Sequence, residues 1–63
     1  MKYFLDVSEN LSIFNLKILI KEIINIPIFD QRLILNGKQL ENHFTIRHYN
    51  LKEGSLLHLT QYI

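Results

Sequence analysis

Asn36-Gly37 stands between two short runs, Arg32-Leu33-Ile34-Leu35 and Lys38-Gln39-Leu40. Both central residues tolerate positive φ, which makes this the strongest short-range signal for a tight antiparallel hairpin. The sequence therefore predicts a two-stranded ribbon in the middle of the chain. A ribbon of that size is not stable alone in water, so other segments must cover one of its faces.

The upstream segment supplies the cover. Ser12 is a good N-cap, because its hydroxyl can accept an otherwise unpartnered N–H of a first helical turn. From Ile13 to about Ile24, apolar residues recur at helical spacing: Ile13, Leu16, Ile20 and then Ile23 or Ile24. Lys17, Lys21 and Glu22 mark the expected wet side. Phe14, Ile18 and Leu19 widen the apolar surface beyond one stripe, as in a helix with a second surface to cover. Asn25-Ile26-Pro27 ends the helix, since the residue before proline is pushed out of the α region.

Both ends of the chain read as strands. From Met1 to Val7, Tyr3, Leu5 and Val7 alternate with Lys2 and Asp6, and Phe4 interrupts the polar face. Ser8-Glu9-Asn10 then turns the chain. From Leu56 to Tyr62, Leu57 and Leu59 face one way and His58 and Thr60 the other. Between the hairpin and this last strand, Glu41 to Asn50 is irregular, anchored by Ile46 and Leu51, and Gly54-Ser55 forms a turn. Strand, helix, hairpin, loop and strand make an α+β chain, with one helix packed on a small mixed sheet. The expected core is Ile13, Leu16, Ile20, Leu33, Leu35, Leu40, Ile46, Leu51, Leu57 and Leu59.

Composition narrows the function. Sixty-three residues make one domain, residues 1–63, and the chain holds no cysteine for disulfides or thiolate metal sites. A net charge of +1 gives no reason to expect nucleic acid or an anionic membrane as partner. No run approaches the roughly 18 apolar residues of a membrane span, and no secretory signal is evident. Catalysis lacks support. Neither serine-containing turn has the setting of a nucleophile elbow, and the acids are scattered. His43, His48 and His58, at spacings of five and ten, match no zinc signature. Gly37 and Gly54 are isolated turn glycines. The chain is expected to need no cofactor or metal, and not to be an enzyme.

From Ile26 onward the sequence resembles ubiquitin. The resemblance rests on Asp30-Gln31-Arg32-Leu33-Ile34, Gly37-Lys38-Gln39-Leu40-Glu41, Thr45-Ile46, Tyr49-Asn50-Leu51 and Ser55-Leu56-Leu57-His58-Leu59. Carried backward without gaps, it places Ser12-Ile13, Asn15, Lys17 and Ile20 on the family's helix and Lys2 to Val7 on its second strand. It implies a ubiquitin-like β-grasp fold lacking one N-terminal strand. Reach supports that assignment: Ser8 to Leu11 span at most about 14 Å and cannot run back along a strand of about 20 Å. The family's first strand sits centrally beside its last. Its loss would leave a gap, a strand moved inward with its direction reversed, or an exposed edge open to self-association or to a partner strand. The family's conjugation arm, with two glycines, is also unmatched by Gln61-Tyr62-Ile63. In this the chain is similar to noncovalent ubiquitin-like splicing modulators.

The resemblance also implies a binding site. The family's partner patch centres on an exposed isoleucine of the third strand, here Ile34. Around it fall Arg32, Gly37, Lys38, Gln39, His58 and Thr60, the last in place of a valine. Alternation independently points Ile34 outward between Leu33 and Leu35. Lys38 matches the family's most used chain-linkage lysine and is a candidate isopeptide acceptor. Glu53 and Leu19 replace two other linkage lysines, and Lys17 matches a third. Tyr49 matches a tyrosine whose hydroxyl ties the loop near Glu41. The implied function is a noncovalent binding module or regulator in the cytoplasm or nucleus that meets ubiquitin-binding proteins. The alternative is a truncated or engineered β-grasp that mainly self-associates, for example as a homodimer.

Overall fold

The computed structural model describes residues 5–52 and 54–62. Helix α1 spans Ile13–Ile24, followed by a short 3₁₀ turn at Ile28–Asp30. Strands β1 (Gln31–Leu35), β2 (Lys38–Gln39) and β3 (His58–Gln61) form one sheet in the order β2-β1-β3.

The helix starts and stops where the sequence predicts. Ser12 has extended backbone, and its Oγ accepts the Asn15 N–H at 3.1 Å. Two further first-turn donors are taken up by the loop after β2: Ile13 N–H donates to the Phe44 carbonyl at 2.8 Å and Phe14 N–H to that of Asn42 at 3.0 Å. Asn25 ends the helix in the left-handed region, at φ 60°, and donates back to the Lys21 carbonyl. Asn36 and Gly37 have φ of 51° and 79°, the pair of positive values that lets a two-residue turn follow the strand twist.

Ile13, Leu16, Leu33, Leu40 and Ile46 are buried. The other five expected core residues, Ile20, Leu35, Leu51, Leu57 and Leu59, pack against them while partly open, as do Val7, Leu11 and Tyr49. Tyr49 carries out the expected tie, its Oη accepting the Glu41 N–H at 2.8 Å.

The N-terminal strand is the largest departure. Leu5, Asp6 and Val7 belong to no strand, and Met1 to Phe4 lie outside the described residues. Alternation specifies which way side chains point, but a strand also needs a neighbour to take up its backbone groups. Among the described residues the sheet is antiparallel throughout, not mixed, because no parallel strand lies beside β3. The last strand also begins two residues late, with Leu56 exposed before it.

Lys17 overturns a second expectation. It lies four residues after Ile13 and one after Leu16, so it shares their inward face and is only 5% exposed. The segment after the helix folds over it, with Gln31 Nε2 donating to the Lys17 carbonyl at 2.9 Å. Burial lowers the lysine's pKa from 10.5, and a smaller effect of Tyr62 opposes this. The unfolded chain therefore holds this proton more tightly, so the lysine's contribution makes stability rise with pH between the lowered pKa and 10.5. Subtracting the denaturation midpoints of Lys17→Met from those of the parent across that range should isolate a rising trend. A flat difference would refute it.

Candidate binding face on the sheet

β1 is the middle strand, so its outward side chains have neighbours on both sides. Ile34 lies opposite Gln39 on β2 and His58 on β3, and Arg32 lies opposite Thr60. Paired residues share a face, so Arg32, Ile34, Gln39, His58 and Thr60 form one surface. Leu33 and Leu59 are paired on the reverse side, where Leu33 is 1% exposed. Ile34 is half-buried, while Gln39, His58 and Thr60 are exposed.

Tyr62 extends this surface and was not among the sequence candidates. Its Oη accepts from Gln39 Nε2 at 2.8 Å, and Gln39 Oε1 in turn accepts from an Arg32 terminal nitrogen at 3.4 Å. The guanidinium carbon sits 5.1 Å from the Tyr62 ring centre, within cation–π range. The sequence held a signal for it. Continuing the alternation of His58 and Thr60 by two residues reaches Tyr62.

Gly37 and Lys38 stand apart from this group. Gly37 is in the turn, and Lys38 pairs with Leu35, whose side chain packs on the core. Lys38 is exposed, with its Nζ 5.8 Å from the Tyr49 ring centre. The histidines are dispersed. His48 stacks on Phe44 with ring centres 3.9 Å apart, His43 tilts against Phe44, and His58 is on the sheet. Among the described residues, no three His, Cys, Asp or Glu side chains come together to hold a metal ion. No helix among them is long and apolar enough to cross a membrane.

One helix packed on a small antiparallel sheet, with an isoleucine-centred outer face, defines a ubiquitin-like β-grasp domain. The ubiquitin family model matches residues 1–61, and the chain belongs to the ubiquitin family. It is 50% identical over 40 residues to NEDD8-like protein RUB3 of Arabidopsis thaliana, a match covering 64% of this chain and 51% of that protein. It is 37% identical over 54 residues to NEDD8-like protein RUB1 of Saccharomyces cerevisiae, covering 86% of this chain and 70% of that one. It is 34% identical over 55 residues to Ubiquitin-like protein 4A of Xenopus laevis, covering 87% and 37%. The match to RUB3 thus spans about half of that relative's length.

Proposed function

We propose that this domain is a noncovalent binding module that presents the Ile34 face to ubiquitin-recognising proteins. The observation that carries the reading is the register, which sets Ile34 on the middle strand between Gln39 and His58, with Arg32 and Thr60 beside them. A half-buried aliphatic gives a partner apolar area to cover, and the surrounding amide, imidazole, hydroxyl and guanidinium groups supply rim hydrogen bonds. The Arg32–Gln39–Tyr62 chain of contacts holds two of those groups in place before a partner arrives, which reduces the ordering cost of binding.

Thr60 makes the surface more polar than a valine would, so moderate affinity is expected. Lys38, exposed on the hairpin, remains a candidate isopeptide acceptor from another ubiquitin-like chain. In this reading the module works in the cytoplasm or nucleus.

Ile34→Ala tests the function. It should leave the thermal transition in place and weaken binding to a helical ubiquitin-binding domain by at least about tenfold, more than about 1–2 kcal/mol. Titration calorimetry against such a domain reads the result. Unchanged affinity in a folded variant would overturn the reading.

A further inference from the structure

Among the described residues no strand lies on the outer side of β3, and an apolar groove runs beside that edge. Leu5, Leu16, Ile20, Ile23, Leu57 and Leu59 are among the residues lining a groove of about 1300 Å³ between α1 and β3. Ile23, Leu5 and Leu56, all lining it, are among the exposed large hydrophobic residues.

The hydrogen-bonding phase of β3 specifies what fits. In an antiparallel pair, alternate residues direct both backbone groups to the same neighbour. The Tyr62 N–H donates to the Asp30 carbonyl at 2.9 Å, so His58, Thr60 and Tyr62 turn toward β1. The Leu33 carbonyl accepts from Leu40 on the β2 side, which agrees with this phase. Leu59 and Gln61 therefore turn their N–H and C=O groups outward, and no described residue pairs with them.

We infer that this edge takes the β3 strand of a second copy, antiparallel about a two-fold axis at Thr60. With Thr60 facing its equivalent, Leu59 faces Gln61 of the partner subunit, and both have outward-turned backbone groups. Four backbone hydrogen bonds form, and Thr60 falls at a non-hydrogen-bonded position, where threonine pairs are favourable. Charge agrees with an identical partner. Soluble proteins protect strand edges with lysine, proline or inward charges, and Leu56 to Tyr62 holds no proline and no Asp, Glu, Lys or Arg. The groove-facing Leu59 of each copy then lies beside the other copy's groove. The product is a continuous six-stranded sheet with two Ile34 faces on one side. That last consequence rests on the proposed function. The dimer itself does not.

Light scattering across a concentration series, combined with amide hydrogen exchange, tests the pairing without any binding partner. The expected species has about twice the chain mass of 7.6 kDa, with Leu59 and Gln61 amides protected in proportion to dimer. Methylating the Gln61 backbone nitrogen in a synthetic chain removes one donor and no side chain. It should raise the dissociation constant at least about tenfold. Thr60→Lys, which opposes like charges at the axis, should do the same. A monomer with protected Leu59 and Gln61 amides would mean that residues 1–4 of the same chain fill the edge, and would overturn the proposal. So would a monomer or dimer in which both amides exchange rapidly, or a dimer indifferent to both changes.

Discussion

Leu33→Ala is expected to remove much of the domain's stability, although the adjacent Ile34→Ala leaves it nearly intact. Leu33 is 1% exposed in the middle of the central strand, beneath Ile13 and Leu16 of the helix-side core. Truncating a buried leucine costs about 2–5 kcal/mol, part from lost burial and part from the cavity left behind. A domain holds about 0.05–0.15 kcal/mol of stability per residue, or about 3–9 kcal/mol for 63 residues. Among the described residues five side chains form the buried apolar cluster, so few contacts remain to absorb the loss. Thermal unfolding followed by circular dichroism should show a missing or strongly lowered transition for Leu33→Ala. A fall in midpoint no larger than that of Ile34→Ala would refute the assignment of the two faces.

Gln31→Ala is expected to cost about 2–4 kcal/mol, unusual for a polar residue in so small a protein. Gln31 is also 1% exposed, and its Nε2 donates both to Lys17 O at 2.9 Å and to Ile26 O at 3.0 Å. Ile26 follows the helix, so its carbonyl lies outside the helical ladder and depends on this side chain. The amide thus fastens the helix, the segment after it and the start of β1 at one point. Gln31→Leu separates hydrogen bonding from volume. It retains most of the bulk and removes the buried, unpartnered Oε1, but leaves the Ile26 carbonyl without its donor, and should still cost about 1–3 kcal/mol. Urea denaturation of the three chains measures both. If Gln31→Leu matched or exceeded the parent's stability, the tie would be dispensable.

Much of the fold was legible because its causes are local. Ser12, Asn25 and Asn36-Gly37 each fix their own backbone through a side-chain bond or a tolerated positive φ, and each acts within a few residues. The Ile34 surface was partly legible for a related reason. A period of two determines which residues of a strand share a face, and the pairing then joins Arg32 and Ile34 to Gln39, His58 and Thr60. The same rule, followed two residues further, would have included Tyr62 and set Lys38 with Leu35.

Other features depended on contacts distant in sequence. Lys17 reads as a wet-side charge from composition, yet its burial follows from Gln31 and the 3₁₀ segment packing over it. The stretch from Leu5 to Val7 alternates like a strand, but strand formation requires a hydrogen-bonding neighbour that no periodicity can provide. The outward turn of the Leu59 and Gln61 backbone groups is of the same kind, since it follows from the register with β1. By itself, the sequence determined the helix, the hairpin and which side of β1 holds Ile34, since these follow from short-range backbone and side-chain preferences. Only the tertiary structure decided which charge is buried, which residues join Ile34 and which backbone groups of β3 turn away from β1, because each is a matter of what lies across from a residue in space.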